Sequence, residues 1–172
     1  MKRAGIITTL AMLLMALSAS VALAATTIDP AAAPTGTHLQ SGTIGCEISG
    51  GVVTCSAYEL AGVGNTNAQA TLSASYSATV QCRNHGGQIV EVKSTTQTAP
   101  RSTGDLRSKN GRLNVPILQS GPVPSNSAFE ANATCPNGNW TKVTLSSTIT
   151  LSSFTYTLTF AGFNSPYITI TG

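Results

Sequence analysis

The chain has 172 residues and a formal net charge of +3, and charged residues make up 9% of it. Soluble domains ordinarily carry about 25% charged residues, so Ser, Thr, Asn and Gln must cover much of this surface. A chain so close to neutral has no overall electrostatic footprint for nucleic acid, whose binding rests on clustered Lys and Arg, so we predict no nucleic-acid partner.

The N-terminus has the pattern of a secretory signal peptide. Lys2 and Arg3 precede a short apolar stretch at residues 6–17, and Ala22-Leu23-Ala24 supplies small residues for cleavage. An uncleaved membrane anchor is the alternative, but the stretch is short for a bilayer span. We predict a signal peptide at residues 1–24 and a secreted, extracellular protein with no membrane span after cleavage. Removing Lys2 and Arg3 leaves seven of nine basic residues against six acidic ones, a formal charge of +1.

The mature chain is predicted to begin with a flexible leader. Residues 25–40 contain Pro30 and Pro34 among small residues without sustained periodicity, as linkers often do. Residues 41–172 then suffice for one domain with a real core.

All four cysteines follow the signal, and an even count in an oxidising compartment indicates two disulfides. Three connectivities are possible in principle. Gly50-Gly51 favours a two-residue hairpin turn, which places Cys46 opposite Cys55 at a non-hydrogen-bonded position. Cα atoms at such positions lie about 4.5 Å apart, at the short end of disulfide geometry. The hairpin predicts Cys46–Cys55, which leaves Cys82–Cys135. A redox-active pair or a zinc site is the alternative, but the chain lacks C-x-x-C and has two histidines.

The strongest structural signal is the alternation of apolar and polar residues over residues 68–83, which ends at Cys82-Arg83. Period two is typical of a half-buried strand. Further strands are predicted at 52–60, 88–94, 112–118, 127–134, 143–151, 154–160 and 167–171. In the 143–151 strand, Val143, Leu145, Ile149 and Leu151 share the apolar face.

No stretch of the mature chain shows convincing helical periodicity. Eight or nine antiparallel strands fit a sandwich or a small barrel. We prefer an all-β, immunoglobulin-like sandwich, because two sheets packed face to face explain the uniformly polar opposite faces. Pro116 is best placed on an edge strand.

Several short turn motifs occur along the chain: a G-x-G-N turn at residues 62–65, a C-x-N-x-G-G loop at 82–87, Lys109-Asn110-Gly111, and a second cysteine before proline at 135–136. These motifs resemble those of small secreted β-sandwich proteins of filamentous Gram-positive bacteria. That group is of unknown function, so the resemblance implies the fold and the Cys82–Cys135 pairing rather than an activity.

The loop after the long strand is the first candidate binding site. Asn84, His85, Gly86 and Gly87 form a polar, glycine-permissive segment that starts at a disulfide. A tight turn that merely reverses the chain is the alternative. Trp140 is the single tryptophan, and exposed aromatic rings can stack on sugars; core or rim packing is its alternative role.

The basic segment at residues 100–112 is a candidate anion contact. Arg101, Arg107, Lys109 and Arg112 stand there against Asp105 alone, and clustered cations attract polyanions. A solvated loop that keeps the protein soluble is the alternative. The turn at 62–65 looks superficially like a phosphate loop, but it lacks the Gly-Lys-Ser/Thr and the helix that such loops need.

No catalytic pattern stands out, so we predict that the protein is not an enzyme and holds no metal or cofactor. The chain lacks G-x-S-x-G and H-E-x-x-H, and its carboxylates are scattered. The favoured function is a non-catalytic binding module for an extracellular or cell-surface ligand. The alternatives are a self-associating structural protein, because few charges guard its strand edges, and an inhibitor of an extracellular enzyme.

Overall fold

A computed structural model describes residues 24–172, so the predicted signal peptide lies outside the described residues except for Ala24. The described chain is mostly β, as predicted, with one α-helix and two short 3₁₀ helices at Pro30–Ala32 and Ser146–Thr148. The strands β1 to β13 are Ala25–Ile28, His38–Gly42, Cys46–Ser49, Val52–Cys55, Tyr58–Ala61, Ala68–Arg83, Ile89–Gln97, Arg101–Ser102, Arg112–Val115, Leu118–Gln119, Thr141–Thr144, Thr150–Phe160 and Ile168–Thr171. Helix α1 is Asn126–Asn132.

Strand β6 is the centre of the largest sheet. One of its edges pairs antiparallel with β12 and then β11, and the other pairs with β7 and β8. Strands β13 and β1 extend the sheet beyond β12. The predicted bounds of β6 are confirmed, and its even-numbered residues from Ala68 to Cys82 are all buried. These residues are apolar because they form the face of the large sheet that packs into the hydrophobic core.

Two three-stranded sheets form a second layer. Their orders are β3-β4-β10 and β2-β5-β9, and all pairings are antiparallel. Three stretches of chain each contribute one strand to both sheets: β2 and β3, β4 and β5, and β9 and β10. Tyr58 of this layer bonds Tyr156 of the large sheet, and the Tyr76 hydroxyl donates to the carbonyl of Gly51. These contacts place the second layer over the inner face of β6.

Both disulfides are confirmed. Gly50 and Gly51 have φ values of 56° and 78°, so the hairpin turn forms where both residues tolerate positive φ. Cys46 stands opposite Cys55 in the register, and their Cα atoms are 3.9 Å apart. Cys82 and Cys135 are bonded with a Cα separation of 5.7 Å. No free cysteine occurs among the described residues.

The segment predicted to be a flexible leader is largely built into the sheets. Residues Ala25–Ile28 form β1 on the edge of the large sheet, and the amide of Asp29 donates to the carbonyl of Tyr167. His38–Gly42 forms β2 against β5. The prediction of a leader over residues 25–40 is therefore wrong. Strands β1 and β2 form because the edges of β13 and β5 supply their hydrogen-bond partners. The segment itself is short and contains prolines, so its own sequence does not predict strands.

The prediction of a strand at residues 127–134 is also wrong, because helix α1 occupies most of this segment. Phe129 and Ala133 are buried whereas Ala131 between them is exposed, which matches the period of a helix rather than the alternation of a strand. The buried hydroxyl of Ser94 on β7 donates to the carbonyl of Phe129 at 2.7 Å. The helix packs against β7 and β11 and also contacts β6.

A third correction concerns residues 143–151, which do not form one strand with Val143 on the buried face. A 3₁₀ helix at Ser146–Thr148 separates β11 from β12. Thr144 stands opposite buried Val80 and is itself buried, whereas Val143 stands opposite Gln81 and is 54% exposed. Thr144 satisfies its polar groups on the helix, since its amide donates to Glu130 and its hydroxyl to the carbonyl of Asn126.

Candidate ligand-binding cleft

The end of β6 brings two loops side by side. Arg83 stands opposite Ile89 on one edge and opposite Thr141 on the other. The turn at residues 84–87 therefore leaves β6 next to the loop at residues 136–140, which enters β11. The Cys82–Cys135 disulfide joins the bases of both loops. We call these segments the 84–87 turn and the 136–140 loop.

A cleft of about 300 Å³ lies between the 84–87 turn and the 136–140 loop. Trp140 is half-buried, and His85 is exposed. The lining consists of an indole, an imidazole, three carboxamides and one glycine: Asn84, His85, Gly86, Asn137, Asn139 and Trp140. Sequence reasoning named four of these six positions. Gly87, which it also named, does not line the cleft.

Asn137 and Asn139 are the residues that the sequence prediction missed. Within the 136–140 loop the sequence prediction named Trp140 alone as a candidate site residue. A signal was present, because two asparagines directly precede the single tryptophan and follow a disulfide cysteine. Without knowing that Thr141 stands opposite Arg83, this signal could not be connected with the 84–87 turn.

Internal hydrogen bonds fix both sides of the cleft. The Asn84 side chain accepts from the amide of Gln88 and donates to the Gln88 side chain at 2.7 Å. The Gly87 amide donates to the carbonyl of Asn84, which closes a tight turn. Across the cleft, the Asn139 amide donates to Oδ1 of Asn137 at 3.1 Å. The 84–87 turn is thus both a tight turn and a wall of a cleft.

Some polar groups in the cleft remain available to a ligand. Within residues 24–172, no protein partner is found for the Nδ2 group of Asn137, the carboxamide of Asn139 or the ring of His85. A carboxamide both donates and accepts hydrogen bonds, and an imidazole can do either. The cleft therefore offers several neutral hydrogen-bonding groups around one aromatic ring.

The basic segment lies at the other end of β6 and does not join this cleft. Arg101 stands opposite Leu72, and Leu106 bridges to Ala68. Leu72 and Arg83 are eleven positions apart on β6, which corresponds to about 35 Å at about 3.3 Å per residue. The two candidate sites suggested by the sequence are therefore separate surfaces.

The four cations of the basic segment are exposed, but they are not equally free. Arg112 forms an ion pair with Glu59 on β5, with a nitrogen to oxygen distance of 3.1 Å. Asp105, within the same segment, accepts from the side chain of Asn67. In the described part of the chain, Arg101, Arg107 and Lys109 form no ion pair. A charge-dense anion site would need these side chains gathered around one point, whereas Arg101 lines a cleft with residues 96–99 and 121–125 to which neither Arg107 nor Lys109 contributes.

A larger cleft of about 570 Å³ lies where the two small sheets meet. Leu106, Val115 and Pro116 contribute apolar surface, and the carboxylate of Glu59 beside them is engaged by Arg112. Few polar groups there are free to orient a ligand, so this cleft offers less chemistry than the smaller one. Among residues 24–172, no group of three or more His, Cys, Asp or Glu side chains is placed to hold a metal ion.

The turn motifs behind the family resemblance meet in two pairs at opposite ends of β6. The G-x-G-N turn contacts Lys109-Asn110-Gly111, since the amide of Val63 donates to the carbonyl of Gly111 at 3.2 Å. The C-x-N-x-G-G loop contacts the second cysteine through the Cys82–Cys135 bond. The resemblance itself stays a prediction.

No helix in residues 24–172 is long and apolar enough to cross a membrane. Comparison with known proteins gave no match to any protein-family model, curated protein or solved structure.

Proposed function

We propose that the protein is a secreted, non-catalytic binding module whose ligand site is the cleft between the 84–87 turn and the 136–140 loop. The observation that carries this proposal is the meeting of Asn84, His85 and Trp140 around one cleft at a disulfide. Ligand sites combine aromatic surface with a few oriented polar groups on a rigid scaffold, and this cleft has both.

Secretion is supported by the predicted signal peptide and by two disulfides, which persist in oxidising compartments. The finer fold assignment, an immunoglobulin-like sandwich, is also part of the proposal. It is supported by two antiparallel layers that share one core and by loops gathered at the ends of the strands.

The non-catalytic role is supported by the composition of the cleft. Acid–base catalysis needs a proton-transfer group oriented by a partner. Among the described residues that line the cleft, His85 is the one with an acid–base side chain. The other lining residues are three asparagines, a glycine and a tryptophan, none of which is a carboxylate that could orient the imidazole.

A sedimentation assay tests the proposed site. The mature protein is mixed with insoluble cell-envelope material, and the bound fraction is measured for the wild type, Trp140→Ala and Arg107→Ala. We expect Trp140→Ala to lose binding and Arg107→Ala, at the other end of β6, to retain it. Equal binding by the wild type and Trp140→Ala would overturn the site. Hydrolysis of a substrate that disappears in His85→Ala would overturn the non-catalytic role.

Self-association is a second candidate function, favoured by the free edge of the large sheet. Strand β7 pairs with β6 on one side only, and its first residues, Ile89 and Val90, are 49% and 41% exposed. Exposed strand edges can pair with another chain. Glu91 and Lys93 provide some charge against such pairing. Light scattering across a concentration series decides: growth in mass that Val90→Lys suppresses supports this function, and a monomer at every concentration contradicts it.

A further inference from the structure

We propose that the ligand of the cleft is a neutral saccharide, held with one sugar ring against Trp140 and its hydroxyls on the carboxamides of Asn137 and Asn139. This inference rests on the proposed function, because it assigns a ligand class to the same cleft. Charge, hydrogen-bonding capacity, the aromatic surface and the size of the cleft each support it.

The charge of the lining selects against ionic ligands. Asn84, His85, Gly86, Asn137, Asn139 and Trp140 include neither a carboxylate nor a permanent cation. A buried ionic group needs a partner of opposite charge, so a cationic ligand stacked on Trp140 would lack a carboxylate. A phosphate or uronate would find no arginine or lysine among these six lining residues. The cations of the basic segment lie about 35 Å away along β6.

The free hydrogen-bonding groups match hydroxyls. A sugar hydroxyl donates one hydrogen bond and accepts others, so it needs donors and acceptors close together. Asn139 presents both on one carboxamide, and Asn137 adds its Nδ2 group beside it. Asn84 is held by Gln88 instead, so we assign it to shaping the wall.

Trp140 supplies the apolar contact that a sugar ring needs. Hydroxyls surround the edge of a pyranose, whereas its C–H groups form an apolar face. An indole combines a large apolar face with one N–H donor, and it keeps few rotatable bonds to freeze. Trp140 is half-buried at the rim, so part of its ring system remains accessible.

The size and rigidity of the cleft limit the ligand. Its volume of about 300 Å³ is at the lower end for small-molecule sites, which suits one or two rings. The Cys82–Cys135 bond and the turn hydrogen bonds hold both walls before a ligand arrives. Such preorganisation lowers the entropy lost on binding.

The single tryptophan makes this proposal directly testable. Because Trp140 is the protein's one tryptophan, its fluorescence reports on the cleft alone. The mature protein is titrated with cellobiose, maltose, mannobiose and N,N'-diacetylchitobiose, with galacturonic acid and tetramethylammonium as charged probes. We expect a saturable change in fluorescence with at least one neutral sugar and none with the charged probes. Insoluble cellulose, chitin and starch show whether the source is free oligosaccharide or polysaccharide.

Three variants complete the test. Asn139→Asp keeps the shape of the side chain but removes its donor, so we expect about tenfold weaker binding of the neutral sugar. Asn110→Asp, at the opposite end of β6, is the matched control and should bind like the wild type. Trp140→Phe keeps an aromatic ring, and calorimetry should find weakened but measurable binding.

The outcomes separate this inference from the proposed function. If envelope material binds through Trp140 while every neutral sugar fails, the saccharide inference is overturned and the binding module stands. Saturable binding of a charged probe alone has the same consequence. If neither envelope material nor sugars bind in a Trp140-dependent way, both proposals fail.

Discussion

The hydroxyls of Tyr58 and Tyr156 lie 2.9 Å apart in the core and join the two layers of the protein. Tyr58 belongs to β5 in the second layer, and Tyr156 belongs to β12 in the large sheet. Both side chains are at most 5% exposed. Each hydroxyl therefore makes with the other the hydrogen bond that it would make with water in the unfolded chain.

Removing both of these hydroxyls should cost less than the sum of the losses from removing each one alone. Tyr58→Phe leaves the Tyr156 hydroxyl buried without this partner, so we expect a loss of about 1 to 3 kcal/mol in the free energy of unfolding. The double variant Tyr58→Phe/Tyr156→Phe should lie closer to the wild type than the sum of the single variants. Urea unfolding of all four proteins, with disulfides intact, measures this coupling. Additive losses would show that the hydrogen bond contributes nothing.

The same pair predicts a loss of stability in alkali. Burial raises the pKa of Tyr58 well above its usual value near 10, and the charge and hydrogen bond of Tyr156 raise it further. Burial also raises the pKa of Tyr156, while its bond with Tyr58 opposes this. In the unfolded chain Tyr58 and Tyr156 ionise near pH 10, whereas in the folded protein they stay protonated there. The stability that this pair contributes is therefore constant below about pH 10 and falls above it.

The slope of the free energy of unfolding against pH shows whether Tyr58 and Tyr156 cause this loss. Each tyrosine kept protonated only in the folded state contributes about 1.4 kcal/mol per pH unit above pH 10. We expect the double phenylalanine variant to have a shallower slope in urea unfolding between pH 9 and 11.5. Absorbance at 295 nm should also show fewer ionised tyrosines in the folded wild type than in the unfolded chain. Identical slopes for the two proteins would contradict this assignment.

The two disulfides should differ in their contribution to stability. Loop entropy assigns about 4.2 kcal/mol to the Cys82–Cys135 bond, whose cysteines are 53 positions apart. The Cys46–Cys55 bond, with a separation of 9, receives about 2.7 kcal/mol. We expect the Cys82→Ala/Cys135→Ala variant to unfold at lower urea than the Cys46→Ala/Cys55→Ala variant.

Hydrogen exchange gives the local control for this comparison. Loss of Cys82–Cys135 should speed exchange in the 84–87 turn and the 136–140 loop, because that bond joins their bases. Loss of Cys46–Cys55 should leave both segments unchanged. Equal stability of the two variants would show that residual denatured-state structure or native strain outweighs loop length.

Gly62 and Gly64 form a matched pair for testing backbone packing. Gly62 has φ +75°, and a Cβ there would overlap the carbonyl oxygen of Gly36. Gly64 has φ +59°, with nothing within 4 Å of a Cβ. We expect Gly64→Ala to cost about 1 to 2 kcal/mol for the left-handed backbone alone, and Gly62→Ala about 3 to 5 kcal/mol. Thermal unfolding measures both, and equal losses would contradict the close approach of Gly36.

Prediction from the sequence succeeded where the pattern was local. The alternation that defines β6 and the two glycines of the β3–β4 turn each act within a few residues, so their structures followed from their order in the chain. Prediction failed at β1 and β2, whose hydrogen bonds come from β13 and β5 more than a dozen residues away. It failed at Thr144 because the burial of that side chain depends on helix α1.

The sequence by itself determined the strand that organises the protein and the Cys46–Cys55 disulfide, because side-chain alternation and turn geometry are local properties. The Cys82–Cys135 disulfide followed as the remaining pair. The sequence also singled out the 84–87 turn and Trp140. Only the tertiary structure decided that these two meet in one cleft and that the basic segment lies at the far end of β6. The reason is register: the pairing of Arg83 with Thr141 and of Leu72 with Arg101 fixes which loops are neighbours, and strand pairing is a contact between distant parts of the chain.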